Sequence, residues 1–148
     1  MSGTGLRLEH SVEVEVSPAF SWSFMTDLTN WDDPPARFWL DGSFAVGSQG
    51  TTVLPGQEPL HWTISEVRAG ESFILEMPLD RATLSFEWRF DAVSDRKTRL
   101  TQRIVLSGDN AAAHATAVQA GFGPTLTEGM NRIAGLLARA EARARGAG

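Results

Sequence analysis

The sequence contains no cysteine and no tyrosine among its 148 residues. A chain without cysteine forms no disulfide, no thiolate nucleophile and no thiolate metal site, which fits a reducing compartment. The absence of tyrosine removes the phenol that some enzymes use to stabilise an oxyanion. No apolar run approaches the roughly 18 residues that span a membrane, and the N-terminal segment "MSGTGLRLEHS" lacks the apolar core of a signal peptide. These absences predict a cytoplasmic protein that is not an integral membrane protein.

Positive charge is scarce in most of the chain. The net charge is −5, and residues 1–131 carry seventeen acidic side chains against nine basic ones. An acidic body of this kind argues against a nucleic-acid-binding surface. The four arginines Arg132, Arg139, Arg143 and Arg145 lie near the C-terminus, in the last turns of a predicted helix. Cations stabilise a helix at that end, and we favour this interpretation over a tail that binds phosphate or a membrane.

Histidine is also rare, and its placement predicts no metal site. His10, His61 and His114 show neither an HxH nor an HExxH spacing, so we expect no metal and no cofactor. His61 is out of phase with Trp62 on its strand and is expected to face outward. His114 lies in an Ala-rich segment that could border a pocket, and it is a weak candidate for a catalytic group.

Along the chain, the sequence predicts a strand, a short helix, a series of strands and a long C-terminal helix. Val12, Val14 and Val16 alternate with acidic residues in a first strand, and Ser17-Pro18 then supplies the N-cap and first position of a short helix. Several short strands separated by Gly, Pro and Asp turns follow between residues 37 and 107, the pattern of an antiparallel meander. An Ala-rich segment after Gly108 is expected to be helical at its start. The last helix, opened by Pro124, carries the apolar stripe Leu126, Met130, Ile133 and Leu137.

The stretch "ATLSFEWRFDAV", residues 82–93, has the clearest alternation in the chain. Leu84, Phe86, Trp88 and Phe90 share one strand face, while polar residues occupy the other. These large apolar side chains either fill a solid core or form the wall of a pocket.

The width of the predicted sheet favours the pocket. Six or seven strands at about 4.8 Å spacing span roughly 30 Å, whereas one helix is only about 10–12 Å wide. A single long helix cannot cover such a sheet unless the sheet curls around it, and curling leaves a space lined by inward side chains. The sequence therefore predicts an α+β fold with a curved antiparallel sheet of about six to seven strands around a C-terminal helix, built as a single domain over residues 1–148.

Four segments in this order resemble the START-like, Bet v 1-like superfamily, also called the helix-grip fold. The resemblance covers roughly residues 8–142 and is strongest to bacterial members of the polyketide cyclase/dehydrase type. The segments that carry it are "VSPAFSWSFMTDLTNW" with Thr26, Asp27 and Trp31, "LDGSFAVGSQG" with Gly42, Gly47 and Gly50, "ISEVRAGESF", and "KTRLTQRIVLSG".

The resemblance implies an incomplete barrel that grips the long helix, with a hydrophobic cavity between the two. Members of the superfamily bind lipids, sterols, plant hormones or polyketides, and some catalyse aromatisation or cyclisation. Many relatives have a cavity-facing histidine on the sixth strand and another on the seventh. The matching positions here are Trp88 and Gln102, so neither of those two bases is present.

We therefore expect the chain to bind a lipophilic small molecule such as a polyketide, a lipid or an aromatic compound. Gln102 is the polar member of the expected pocket, and it could orient a ligand oxygen or satisfy a backbone group. The predicted ligand-binding residues are Trp31, Phe38, Trp62, Ile64, Phe73, Leu75, Met77, Phe86, Trp88, Gln102, Ile104, Met130 and Ile133.

Two other functions are compatible with the sequence. One is a metal-independent cyclase, aromatase or dehydrase that folds a chain into a reactive pose, with Gln102 and His114 as weak catalytic candidates. The other is a protein-interaction module of the same fold with a filled core. An exposed strand at the edge of an incomplete barrel could also pair into a homodimer.

Overall fold

In the computed structural model the described residues are 3–31 and 35–147, and they form seven strands and three α-helices. A short 3₁₀ helix, Leu28–Asn30, follows the first α-helix. In chain order the elements are β1 (Gly3–Val14), α1 (Pro18–Met25), β2 (Arg37–Asp41), β3 (Gln49–Val53), β4 (Leu60–Arg68), β5 (Ser72–Leu79), β6 (Ala82–Ser94), β7 (Lys97–Gly108), α2 (Ala111–Phe122) and α3 (Leu126–Ala147).

The seven strands form one antiparallel sheet in the order β1-β7-β6-β5-β4-β3-β2. Consecutive strands from β2 to β7 are neighbours, as expected of a meander, and β1 closes onto β7. The longest ladders join β6 and β7 to each other and β7 to β1. Together with the long C-terminal helix, this topology confirms the predicted helix-grip fold.

Helix α1 begins where the Ser-Pro signal predicts. The Ser17 hydroxyl accepts a hydrogen bond from the Phe20 N–H at 3.2 Å, and Pro18 occupies the first helical position. Nearby, the buried Thr98 hydroxyl of β7 donates to the Val16 carbonyl at 2.8 Å. These bonds fix the chain that leads from β1 into α1.

Helix α3 is held against the sheet by the apolar stripe seen in the sequence. Met130 and Leu137 are 1% and 0% exposed, and Leu126 and Ile133 pack against the same core. At the far end, the buried Glu141 carboxylate accepts the Ser17 N–H at 3.1 Å and pairs with Arg145 at 3.2 Å. The last turns of α3 are therefore tied to the start of α1.

The segment after β7 is more regular than the sequence indicates. It was expected to be helical only at its start, but α2 continues to Phe122. The reason is tertiary: α2 packs on β1 and β7, where Ala111 and Val118 are buried in a second apolar cluster. Packing on one face of a helix supplies stability that intrinsic propensity alone does not.

The outer face of β1, β6 and β7 carries ion pairs across the strands. Arg103 lies between Glu9, at 2.6 Å, and Glu87, at 3.0 Å, and Glu13 pairs with both Arg99 and Lys97. The hydrogen bond from Arg103 lowers the pKa of Glu9, and the one from Arg99 lowers the pKa of Glu13. The polar and apolar faces of these strands are thus segregated as their alternation predicts.

Within the described ranges, no helix has the length and apolar character required to cross a membrane.

Candidate functional site

A cavity of about 380 Å³ lies between the concave face of the sheet and α3. Strands β2 to β7 supply the sheet side, α1 and the 3₁₀ helix contribute one end, and the α2–α3 junction contributes another part of the wall. Most of the lining side chains are apolar, and the polar ones are few: Asn30, Thr52, Gln102, Thr125 and Arg132.

Ten of the thirteen predicted pocket residues lie on the wall of this cavity. The signals that predicted them were the alternation in the strands, the aromatic residue that follows α1, and the apolar stripe of α3. These ten residues are Trp31, Phe38, Trp62, Leu75, Met77, Phe86, Trp88, Gln102, Ile104 and Ile133.

Ile64, Phe73 and Met130 do not line the cavity, although they were predicted to. All three are sealed in the core, at 0%, 0% and 1% exposure. Phe73 contacts Trp22 and Phe44, with ring centroids 6.1 Å and 4.9 Å away. Helix α1 therefore covers one part of the concave face and leaves the rest open. Alternation identifies which side chains of a strand face inward. It does not show which of those side chains a helix covers and which remain open to the cavity.

The remaining wall residues come mostly from segments with no strand alternation to reveal them. Two signals were available. One is the repeat of Leu126, Gly129, Ile133 and Leu136 along α3, because i, i+3 and i+4 positions share a helix face. The other is the alternation of Leu60 with Trp62 in β4. The lining residues outside the prediction are Phe24, Met25, Asn30, Ala36, Thr52, Leu54, Leu60, Phe122, Thr125, Leu126, Gly129, Arg132 and Leu136.

Aromatic rings form a continuous surface at one side of the cavity. Trp31 stacks on Trp62 with centroids 5.9 Å apart and planes at 25°, and it meets Phe38 edge-on at 5.4 Å. The two indoles are fixed by hydrogen bonds: Trp31 Nε1 donates to the Met25 carbonyl at 2.8 Å and Trp62 Nε1 donates to Thr52 Oγ1 at 3.0 Å. These two hydrogen bonds fix the orientation of both indole rings without a ligand.

A second aromatic contact joins the sheet to the α2–α3 junction. Phe86 of β6 and Phe122 of α2 meet edge-on with centroids 5.4 Å apart, and both line the cavity. Phe122 immediately precedes Gly123 and Pro124, where the chain turns from α2 into α3.

The histidines lie apart from the described cavity wall. His10 is in the middle of β1, where it faces Gln102 across the ladder. His61 is exposed as predicted and contacts the Thr51 hydroxyl at 3.3 Å. His114 does not line the cavity either; its Nε2 donates to the Asp80 carbonyl at 3.0 Å. The role of His114 as a catalytic candidate therefore has no support from its position.

Asp32 and Asp33, the acidic pair after Trp31, lie outside the described residues. Among the residues that the structure does describe, no cluster of three or more His, Asp or Glu side chains could hold a metal ion.

The fold and the apolar cavity define a helix-grip protein with room for a small molecule. The chain belongs to the family described as polyketide cyclase / dehydrase and lipid transport, because the sequence profile of that family matches residues 6–138. A search by sequence among curated proteins finds no match.

Solved structures with the same fold come from plants and bacteria. A point mutant of norcoclaurine synthase from Thalictrum flavum, in complex with a transition-state analogue, superposes with a TM-score of 0.73 at 13% identity, over 95% of this chain and 98% of that one. The Zhui aromatase/cyclase from Streptomyces sp. R1128 gives 0.70 at 18% identity, over 97% and 98%. A protein from Thermobifida fusca gives 0.66 at 19% identity, over 90% and 93%. At these identities the likeness establishes the fold.

Proposed function

We propose that this protein binds a lipophilic small molecule, of the polyketide, lipid or aromatic class, in the cavity between the sheet and α3. The observation that carries the proposal is the cavity itself, about 380 Å³ with a predominantly apolar wall. Ligand sites typically measure about 300–1,000 Å³ and combine an apolar lining with a few placed polar groups. The alternative function, a protein-interaction module, was expected to have a filled core, and a cavity of this volume disfavours it.

The shape of the wall favours a ligand with a flat or ring-containing portion. Trp31 and Trp62 present stacked indoles on the cavity wall, and because both N–H groups are already bonded within the protein, these rings offer a ligand apolar contact and no hydrogen bond. Ring faces pack well against other flat π systems in offset or edge-on arrangements. Leu75, Met77 and Ile104 supply aliphatic contact elsewhere on the wall.

A thermal-shift screen against polyketides, fatty acids, sterols and aromatic acids tests this proposal. A ligand that binds only the folded state stabilises it by RT ln(1 + [L]/Kd), about 2.7 kcal/mol at one hundred times Kd. We expect at least one compound class to give a saturable rise in melting temperature. No saturable shift across the panel would count against the proposal.

Two variants test whether the shift originates in the cavity. Met77→Ala shortens a side chain on the wall and so enlarges the cavity, which should change which compounds stabilise the protein. Trp39→Ala removes an indole that is 52% exposed and lies off the cavity wall, so it should leave the ranking of compounds unchanged. Equal rankings for both variants would indicate binding at another surface.

A cyclase or aromatase activity is the second candidate, favoured by the family and by the similarity to an aromatase/cyclase. Such a reaction would depend mainly on holding a flexible chain in a reactive conformation, since proximity and orientation alone give large accelerations. Gln102 on the cavity wall would position a carbonyl or a water molecule. With a poly-β-ketone substrate, turnover should fall in Gln102→Leu and persist in His114→Ala. Equal rates in both variants and wild type would remove Gln102 from the mechanism.

A further inference from the structure

We infer that the ligand carries a hydrogen-bond acceptor oxygen, and that the Trp88 indole N–H and the Gln102 side-chain amide bind that oxygen. This inference rests on the proposed function and adds the chemistry of the ligand to it.

The three tryptophans on the cavity wall differ in how their N–H groups are used. Trp31 donates to the Met25 carbonyl and Trp62 donates to the Thr52 hydroxyl. The Trp88 N–H has no acceptor among residues 3–31 and 35–147, although Trp88 is only 7% exposed. A tryptophan buried to this extent normally finds a partner for its N–H.

The unused N–H of Trp88 opens into the cavity. In the described part of the chain, no fully buried side-chain nitrogen or oxygen lacks a hydrogen-bond partner. The Trp88 Nε1 has no partner, so it must reach accessible space, and the space that Trp88 borders is the cavity. The group is therefore presented to whatever occupies the cavity.

Gln102 brings a second polar group to the same place. It stands directly opposite Trp88 in the β6–β7 ladder and lines the cavity. Directly opposite residues on one face of an antiparallel pair have Cβ atoms about 4.5–5.5 Å apart. The Gln102 amide forms no hydrogen bond with any described side chain or backbone group, so its N–H groups are also available.

The two groups together require an acceptor. An indole N–H can only donate, and an amide can donate through its nitrogen and accept through its oxygen. A carbonyl, ether or hydroxyl oxygen satisfies both donors at once. A pure hydrocarbon would displace water from them and leave both unpaired, which is unfavourable in an apolar site. Phe86 and Ile104, the neighbouring wall residues, offer no acceptor side chain. The His10 imidazole, opposite Gln102 on β1, could accept a hydrogen bond, but among the described residues it bonds to neither group and it lies off the cavity wall.

A matched pair of probes isolates the effect of the oxygen. 9-Fluorenone and fluorene share one flat tricyclic skeleton and differ by a carbonyl in place of a methylene. Fluorene is the more apolar compound, so the hydrophobic effect alone would favour it. We expect wild type to bind 9-fluorenone about fivefold more tightly than fluorene, the size of effect that one net hydrogen bond gives.

Two conservative variants test which groups create that preference, and a third serves as the control. Trp88→Phe keeps a ring but removes the N–H, and Gln102→Met keeps the length of the side chain but removes the amide. Each should reduce the fluorenone-to-fluorene affinity ratio severalfold. Trp31→Phe is the control, because Trp31 lines the cavity but its N–H is already bound to Met25. Its effect on both probes should be equal, so the ratio should stay at the wild-type value.

An NMR measurement reports on the bond directly. On addition of 9-fluorenone the Trp88 indole proton, assigned by its absence in Trp88→Phe, should move downfield more than it does with fluorene. If both probes bind wild type equally and the ratio is the same in every variant, the inference is wrong while the proposed function stands. If neither probe binds wild type, the proposal of a flat aromatic ligand fails together with the inference.

Discussion

At the scale of single residues, the cavity depends on positions where a side chain is small or absent. Gly129 lies on α3 between Leu126 and Ile133, both of which line the cavity. A Cβ added at Gly129 would meet no atom within 4 Å. Neither backbone conformation nor close packing requires glycine here, and glycine weakens a helix. We conclude that Gly129 keeps space open in the cavity.

Substitution of Gly129 should separate stability from binding. Gly129→Ala should raise the free energy of unfolding by about 0.5–1 kcal/mol, because alanine is the better helix former. Gly129→Leu should also place a side chain in the cavity and weaken the binding of every ligand found in the screen. Chemical denaturation and titration calorimetry measure the two effects.

Gly121 provides the control for this prediction. It is also helical and also has open space at its Cβ position, but it does not line the cavity. Gly121→Leu should leave ligand affinity unchanged. Equal loss of affinity in Gly121→Leu and Gly129→Leu would contradict the assigned role of Gly129.

Residue-level prediction from sequence worked where strands alternate. Leu75, Phe86 and Trp88 were placed on the inward face by alternation alone, and that is where they lie. Phe73 has the same alternation, yet it is covered by Trp22 of α1. The difference depends on where α1 crosses the sheet, a long-range contact that leaves no periodic signal in either segment.

At the scale of secondary-structure elements, local signals predicted the N-terminus of α1 well. Ser17→Ala removes the oxygen that accepts the Phe20 N–H at the N-terminus of α1. Loss of an N-cap of this kind costs about 1 kcal/mol. We expect the free energy of unfolding, measured by urea denaturation, to fall by about that amount.

Ser23→Ala is the matched control for the N-cap. Ser23 is an exposed residue inside the same helix and has no capping role. The substitution should leave stability the same or raise it slightly, because alanine has the higher helix propensity. A similar loss of stability in both variants would show that the Ser17 hydroxyl has no special effect.

Helix α2 shows what element-level prediction missed. Its Ala-rich sequence is a good helix former, but it contains no strong apolar stripe from which its full length could be predicted. Ala111 and Val118 become buried because α2 packs on β1 and β7. That contact also brings Phe122 to the cavity wall.

At the scale of the whole molecule, the width of the sheet determined the architecture. Seven strands cannot be covered by one helix unless they curve, and the space left by the curvature is the cavity. The number of strands and the standard widths of strands and helices are enough to predict this curvature from the sequence. That residues 1–148 form a single domain stays a prediction.

The ion pairs on the outer face of the sheet predict how the whole fold responds to acid. The pKa of Glu9 is lowered from 4.5, chiefly by the hydrogen bond from Arg103. Its folded pKa is below its unfolded pKa, so its contribution to stability is complete above the unfolded value. That contribution is lost as the pH falls through the folded value. Stability should therefore decrease as the pH is lowered below about 4.5.

The variant Arg103→Gln should have a shallower decrease over the same pH range, measured by urea denaturation at each pH. High salt should diminish the effect in wild type, because the Arg103–Glu9 pair is partly exposed to solvent. Arg96→Gln, in the β6–β7 turn, is the control and should follow the wild-type curve. Parallel curves for wild type and Arg103→Gln would contradict this assignment.

The proposed function requires that the cavity between the sheet and α3 binds a lipophilic small molecule. A crystal structure of the protein with the compound that gives the largest thermal shift tests it most directly. We predict density for the compound inside the cavity, against Trp31 and Trp62, with an oxygen at Trp88 and Gln102. A structure with the compound on the outer surface and the cavity closed by side chains would contradict the account.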